Sequence, residues 1–239
     1  IMSSDWSSDV CSSDLDSVVG VWGDSVSLAA FRSLRDTLRG SGLTLRETED
    51  LLDPIWPDRP ALPTGKAFLM EQEYAGRSRT EKLAELRSTL LRTGLDGYLI
   101  PALDEVAWLF NLRGADIPYN PLALAYAVVT QSQALLFMDP EKLTEEDRTR
   151  LDGDGVQVQP YGDICRSLGT LRGEAGARAN AAADSPEAGS PSIAGDPGAV
   201  TAALSHCLPE GAPLIEQSSP LALAKARKNR SEIEGTRRA

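Results

Sequence analysis

Apolar residues at helical spacing predict two helices in the first hundred residues. The first begins after Ser27, a residue type that often caps a helix N terminus, and ends near Gly40. Its apolar positions are Leu28, Phe31, Leu34 and Leu38. The second runs from about residue 78 to residue 93 and ends at Gly94, with a buried stripe of Leu83, Leu86 and Leu90. Residues 18–22 predict a short buried strand before the first helix.

Short apolar runs separated by turn residues follow the second helix. They cover residues 97–100, 106–112, 124–130 and 134–138. A polar helix at 144–151, a short strand at 156–158 and helices near 200–208 and 220–228 complete the pattern. Residues 173–198 are rich in Ala, Gly, Pro and Ser, which predicts a flexible insertion. Helices that alternate with strands predict an α/β fold.

A segment with four prolines lies between the first and second predicted helices. They are Pro54, Pro57, Pro60 and Pro63. Because proline disfavours helix, residues 51–63 are predicted to form an extended crossing between two domains. One strand and one helix before it are too little to bury a core. We therefore interpret residues 17–63 as the end of one domain plus a linker, and residues 64–219 as a second domain.

The two ends of the chain differ from the rest. The tripeptide Ser-Ser-Asp occurs three times between residues 3 and 14, without hydrophobic periodicity. Residues 5–15 resemble the frame translation of a sequencing-library adaptor; the alternative is a disordered Ser/Asp tail. Residues 1–16 are thus predicted to be a non-native or disordered leader. At the other end, Ser231 and Glu234 fit a capping box, which predicts a helix that the sequence leaves after about two turns.

Composition excludes several classes of function. The net charge of −11 argues against nucleic-acid binding, which needs clustered Lys and Arg. No apolar run approaches the ~20 residues that span a bilayer, so we predict no membrane partner. The chain has an odd number of cysteines, Cys11, Cys165 and Cys207, and they lack C-x-x-C spacing. This fits a reducing cytoplasm better than a disulfide scaffold.

The sequence contains no recognisable catalytic constellation. His206 is the single histidine, so a Ser-His-Asp triad or most zinc sites would need it. On a helix, the side chain of Cys207 diverges from that of His206 by about 100°, which disfavours a nucleophilic pair. No H-E-x-x-H or phosphate-binding glycine motif is present.

Several blocks in order resemble the Xaa-Pro aminopeptidase family (aminopeptidase P, a family of metallopeptidases). The blocks are residues 53–60 (DPIWPDRP), 74–78 (YAGRS) with Lys82, 104–121 (DEVAWLFNLRGADIPYNP), 225–229 (KARKN), 232–235 (EIEG) and 237–239 (RRA). Of these, residues 104–121 are similar to the central signature of the family's second domain. The resemblance covers the chain from about residue 18 to residue 239.

The resemblance implies a creatinase/prolidase N-terminal-domain-like fold, with a mixed sheet flanked by helices after the end of a similar domain. It implies that residues 220–239 begin a catalytic pita-bread domain whose remainder, with two divalent metals, commonly manganese, lies beyond Ala239. No catalytic or metal-binding residue of this chain can be matched to that site, so the chain alone is predicted to be inactive. The parent protein would be a cytoplasmic homodimer that hydrolyses the bond before proline in peptides.

Within residues 104–121, the resemblance leaves two interpretations open. Arg113, Asp116, Tyr119 and Asn120 could line the substrate cleft or the dimer interface. Alternatively, they hold a loop through side-chain-to-backbone hydrogen bonds, while Trp108 and its neighbours form core. For the whole chain, a free-standing creatinase-N-like module that binds or dimerises without catalysis is the alternative. A creatinase or prolidase relative is a third reading, which the Asn-Leu-Arg-Gly block disfavours.

Overall fold

A computed structural model of the chain describes residues 17–173 and 190–238. The predictions for residues 1–16 and for most of the insertion therefore lie outside the described residues. The first unit contains strand β1 (Val18–Trp22), helix α1 (Leu28–Gly40) and strand β2 (Thr44–Thr48), and its two strands pair in parallel. Ser27 caps α1 as predicted, by accepting a hydrogen bond from the amide of Ala30. The prediction that β1 is buried is wrong, because its two-stranded sheet leaves the strand partly exposed.

An extended segment then crosses to the second unit. Between β2 and residue 66, its regular structure is one 3₁₀ turn at Asp53–Ile55, as the prolines predict. The guanidinium of Arg59 lies 5.7 Å from the ring centre of Trp22 and 5.8 Å from that of Trp56. These cation–π contacts attach the crossing segment to β1.

A six-stranded mixed sheet forms the centre of the second unit. Its order is β10 (Ile215–Glu216), β9 (Ile193–Gly195), β4 (Gly97–Ile100), β6 (Tyr126–Thr130), β7 (Ala134–Phe137) and β8 (Gln157–Gln159). The pairs β4–β6 and β6–β7 are antiparallel, and the pairs β4–β9, β9–β10 and β7–β8 are parallel. A separate antiparallel pair joins β3 (Ala67–Leu69) to β5 (Leu112–Gly114).

Helices cover both faces of this sheet. Alternate residues of β6 show the two faces: Ala127 and Val129 belong to one hydrophobic cluster and Val128 to the other. The first face carries α3 (Arg79–Thr93), α4 (Leu103–Leu109), α5 (Glu145–Gly153) and α8 (Pro220–Ala226), and the second carries α6 (Ile164–Thr170) and α7 (Ala202–Ser205). Because both faces are buried, the central strands are continuous apolar runs. Helices α2 (Gln72–Ala75) and α9 (Arg230–Arg238) contact each other.

The prediction of the second helix agrees closely with the structure. Ser78 caps α3 in a reciprocal capping box with Glu81, and Gly94 ends the helix in the left-handed conformation. The predicted stripe of three leucines is buried, at 1–2% exposure. Within the described ranges, the structure contains no helix with both the length and the apolar character needed to cross a bilayer.

Three predictions need correction. The apolar run at residues 106–112 is the end of α4 and the start of β5, because its aromatic residues pack onto the sheet as a helix. The predicted flexible insertion is too long: Ile193–Gly195 is strand β9, fully buried beside β4. Helix α7 spans only Ala202–Ser205, so His206 and Cys207 lie after it.

Candidate functional site

Helix α4 and the loop after β5 form the part of the structure that the sequence singles out. Val106 and Leu109 of α4 are almost completely buried, and Trp108 is 9% exposed, so the helix is a core element. The chain then turns at Asn111, whose φ of 52° is in the left-handed region. Asparagine tolerates this conformation better than most residues, because its short polar side chain can bond locally.

A buried lysine holds this turn. The ammonium of Lys82 on α3 donates hydrogen bonds to Oδ1 of Asn111 at 2.6 Å and to the carbonyl of Trp108 at 2.7 Å. It also lies 4.3 Å from the ring centre of Trp108, a cation–π distance. The side-chain Nδ2 of Asn111 donates to the carbonyl of Arg77 at 2.9 Å. The turn is therefore fixed to the N-terminal part of α3.

The position of Lys82 has an electrostatic cost. Burial lowers its pKa to about 8, because removal from water disfavours the charged form. Arg113, Arg77 and Arg79 lower this pKa further, whereas Glu232 raises it. The sequence contains a signal for this burial, since Lys82 precedes the buried Leu86 by one helical turn.

Arg113 points its guanidinium back toward α4. Its Nη1 donates to the carbonyl of Ala107 at 2.9 Å and to that of Leu112 at 2.7 Å. The side chain is half-buried, and this burial lowers the pKa of Arg113, opposed by the charge of Glu232. Arg113 thus closes the α4–β5 corner and also faces a neighbouring cavity.

Asp116 forms a buried ion pair. Its Oδ2 accepts from Nζ of Lys142 at 2.6 Å and from the amide of Leu124 at 2.7 Å. The side chains of Asp116 and Lys142 are 0% and 4% exposed. These contacts support the interpretation of Asp116 as a residue that holds the loop.

Tyr119 and Asn120 form the exposed tip of the loop. Tyr119 has a φ of 62° and is fully exposed, which is unusual for an aromatic residue. The amide of Asn120 donates to the carbonyl of Ile117 at 3.2 Å. The structure therefore separates the four predicted residues: Arg113 and Asp116 face inward, and Tyr119 and Asn120 face solvent.

A cavity of about 510 Å³ lies between the loop and the C-terminal helices. Arg113 and Asn120 line it, whereas Asp116 and Tyr119 do not. In the described part of the chain, the charged side chains of its wall are Lys82, Asp104, Arg113, Lys225, Lys228, Glu232 and Arg238. Basic groups outnumber acidic ones in this wall, although the chain is acidic overall. The charged part of this wall is therefore net positive, with five basic and two acidic side chains among the described residues.

Asn229 fixes the last helix to this cavity wall. Its Oδ1 accepts from the backbone amide of Glu232, and its backbone amide donates to Oε2 of Glu232, so these two residues form the capping box of α9. The prediction of a box at Ser231 and Glu234 is wrong. Asn229 is preferred because its side chain also donates to the carbonyl of Ala75 at 2.8 Å.

Cys165 and Cys207 form a disulfide, with their Cα atoms 4.8 Å apart. This corrects the prediction that the cysteines are not paired. The pairing follows from tertiary packing, because Leu168 of α6 and Leu204 of α7 belong to the same hydrophobic cluster. The Nδ1 atom of His206 lies 3.1 Å from Oε2 of Glu47 on β2.

Among the residues that the structure describes, no group of three or more His, Cys, Asp or Glu side chains could hold a metal ion. The acidic residues near the cavity are already in use. Asp104 is paired with Lys225, and Glu232 caps α9. These residues do not fit the two-metal site that the sequence resemblance implies for a parent enzyme.

Comparison with known proteins decides the family. The model of the creatinase/prolidase N-terminal domain matches residues 58–232, which is most of the chain. The chain belongs to this family. The match includes the six-stranded sheet, the loop after β5 and the first turn of α9.

Relatives of this creatinase/prolidase N-terminal domain are much longer proteins. A probable Xaa-Pro aminopeptidase P of Ajellomyces dermatitidis is 40% identical over 222 residues, which are 92% of this chain and 35% of that protein. One of Leptosphaeria maculans is 38% identical over 98% of this chain and 37% of its own length. The chain corresponds to the N-terminal domain region of such proteins.

A solved structure shows the same fold. The X-prolyl aminopeptidase of Caenorhabditis elegans, described as a cytosolic enzyme with a di-nuclear active site, superposes with a TM-score of 0.79. It is 29% identical, and the match covers 93% of this chain and 35% of that enzyme. The predicted α/β fold of the creatinase N-terminal type is confirmed.

Proposed function

We propose that this chain is the non-catalytic N-terminal part of a metal-dependent Xaa-Pro aminopeptidase, which hydrolyses the N-terminal peptide bond before proline. The observation that carries the proposal is the 40% identity over 92% of the chain to a probable Xaa-Pro aminopeptidase P. In the proposal, the two divalent metals, manganese by family resemblance, belong to the remaining part of that protein. They would supply the nucleophilic hydroxide.

The residues described here would shape and support the substrate cleft. The cavity beside Arg113 and Asn120 has a mainly basic wall, which suits the carboxylate end of a peptide. Helices α8 and α9 would connect this wall to the remaining part of the proposed parent protein. In the proposed division, residues 17–63 end domain I, residues 64–219 form domain II, and residues 220–239 begin the catalytic domain.

The proposed parent protein is a cytoplasmic homodimer. The cytosolic C. elegans enzyme supports this location. The exposed tip formed by Tyr119 and Asn120 is a suitable contact point for a second subunit, because an exposed aromatic residue gains most from burial at an interface.

The activity proposal is tested with the full 239-residue chain. We expect no hydrolysis of a tripeptide with proline in second position, with manganese present, above a blank without protein. The C. elegans X-prolyl aminopeptidase serves as the positive control for the assay. Turnover by this chain would show that it contains a complete active site.

A free-standing binding or dimerisation module is the second candidate. One observation favours it: the chain has a hydrophobic cluster on each face of its sheet, and its own residues form both clusters. The genomic reading frame after the codon for Ala239 distinguishes the two candidates. Continuation into carboxylate and histidine ligands supports the peptidase, and a natural stop codon supports the module.

A further inference from the structure

We propose that Cys165 and Cys207 are a reversible redox pair. Their disulfide would stabilise the contact between the first unit (β1, α1 and β2) and the unit that contains the central sheet. Cys165 lies on α6 and is exposed, and Cys207 lies just after α7 and is half-buried. Small thiols and disulfides can therefore reach the bond from solvent. Exposed disulfides are those that exchange most readily, whereas buried ones are mainly structural.

The bond adjoins the junction between the two units. The amides of Leu28 and Ala29 donate to the carbonyls of Val200 and Pro197, each at 2.9 Å. In the other direction, the amide of Ala202 donates to the carbonyl of Val26 in the first unit at 3.0 Å. All three bonds join the start of α1 and the residue before Ser27 to the segment 196–206, which ends where the disulfide begins.

Side chains continue the same junction. Nδ1 of His206, the residue before Cys207, lies 3.1 Å from Oε2 of Glu47 on β2. Arg32 of α1 forms an ion pair with Glu216 of β10. Both pairs are partly exposed and so contribute little stability alone. The junction therefore depends on how firmly the segment 196–206 is held to the sheet.

The disulfide is the covalent part of that attachment. Helix α7 has only four residues and cannot be stable by itself. Apolar packing of Leu204 and Leu208 against Ile164 and Leu168 of α6 holds it in place. The bond between Cys207 and α6 restricts the same segment from its C-terminal side. Breaking it leaves α7 held by packing alone, and the junction should open more often.

The chemistry requires a low-molecular-weight disulfide, RSSR, as oxidant. The thiolate of one cysteine attacks RSSR, forms a mixed disulfide and releases one thiolate RS⁻. The second cysteine thiolate attacks the mixed disulfide at the protein sulfur and releases the second RS⁻. The two protons lost by the cysteines pass to the two released thiolates, giving two RSH. Excess RSH reverses both steps.

The test uses the full chain carrying Cys11→Ser, so that only this pair of thiols remains. The protein is equilibrated in buffers with different ratios of reduced to oxidised glutathione. Alkylation followed by mass spectrometry measures the fraction with free thiols. Hydrogen exchange is then measured in peptides that cover residues 26–31 and 196–206, in the oxidised and reduced forms. The double variant Cys165→Ser/Cys207→Ser cannot form the disulfide and serves as the reference for the reduced form.

We expect a reversible transition between dithiol and disulfide across the glutathione series. Reduction should make exchange several-fold faster in both peptides, and the double variant should match the reduced form. Peptides of α3 serve as the internal control and should not change. Thiols that remain free at every ratio, or a disulfide that forms without slowing exchange at the junction, would overturn the proposal. Neither readout depends on peptide hydrolysis.

Discussion

Lys82 and Asn111 are 29 residues apart in sequence, and the ammonium of the first donates a 2.6 Å hydrogen bond to the side-chain oxygen of the second. This contact joins the buried face of α3 to a left-handed turn at the centre of the family signature. A buried cation and a strained backbone position thus stabilise each other. Replacement of either residue should affect the same loop.

Replacement of Asn111 separates the two contributions. Asn111→Ala removes the acceptor for Lys82 and places an alanine at a φ of 52°, so we expect a loss of about 2 to 4 kcal/mol in the free energy of unfolding. Asn111→Gly removes the same acceptor but tolerates the backbone, so it should cost about 1 kcal/mol less. Urea unfolding of the two variants and the parent measures the difference. Equal stability of both variants would show that the left-handed turn carries no strain.

The buried lysine predicts a pH dependence. Burial lowers the pKa of Lys82 to about 8 in the folded chain, against an ordinary value of 10.5. Between these values the unfolded chain binds more protons, so the free energy of unfolding should rise with pH. Below pH 8 both states are protonated and this contribution is flat.

The corresponding experiment compares urea unfolding at several pH values from 7 to 10. The variant Lys82→Met should lose the rise above about pH 8. Lys228→Met, at an exposed position, is the matched control and should keep it. The same slope in Lys82→Met and the parent would assign the pH dependence to another group.

The buried pair of Asp116 and Lys142 predicts a large effect of single replacement. Asp116→Ala leaves the charge of Lys142 buried without its partner, which should cost about 3 to 5 kcal/mol of unfolding free energy. Adding Lys142→Met removes that stranded charge and should recover part of the loss. A double-mutant cycle by chemical denaturation measures the coupling. Additive effects would mean that the two side chains do not interact.

The close contact of Gly76 with Asn229 leads to a prediction about the packing of α9 against α2. Its φ is +72°, and a Cβ added there would overlap the side-chain amide of Asn229. Gly76→Ala should therefore destabilise the chain by about 1 to 3 kcal/mol and increase hydrogen exchange in α9. Gly153→Ala is the control, because a Cβ there meets open space. If both variants exchange alike in α9, close contact with Gly76 is not needed for docking.

Local signals in the sequence predicted two of the helices. Helix α1 follows from its cap Ser27, and α3 from the spacing of its leucines and its terminator Gly94. The α/β class followed from the alternation of elements. Strand β1 was predicted to be buried but is partly exposed. The residue pattern of a strand does not show whether another element covers it.

Elements defined by long-range contacts could not be predicted in this way. Strand β9 is three residues of Ile, Ala and Gly inside a stretch of small residues, and only pairing with β4 makes it a strand. Asn229 and Ser231 are equally good caps with a glutamate three residues later, and the contact with Ala75 favours Asn229. The cysteine pair, separated by 42 residues, has no local signal.

In the candidate site, residue types were informative and orientation was not. For Arg113 and Asp116 the sequence left two interpretations open, a place in the cleft or dimer surface and support of the loop. The contacts of Asp116 with Lys142 and of Arg113 with backbone carbonyls favour loop support, and Arg113 also lines the cavity. Lys82 was recognisable by its place on the apolar stripe of α3, but its partner depends on how α4 packs.

Pairing of β4 with β9 sets an order of assembly during synthesis. Gly97 lies beside Ile193, so the interior of the sheet stays open on one side until almost a hundred more residues have left the ribosome. During that interval the edge of β4 is an unpaired template for other strands. If synthesis stops between these two residues, the edge of β4 stays exposed and can aggregate. Once β9 has been synthesised, it pairs with β4 and covers that edge.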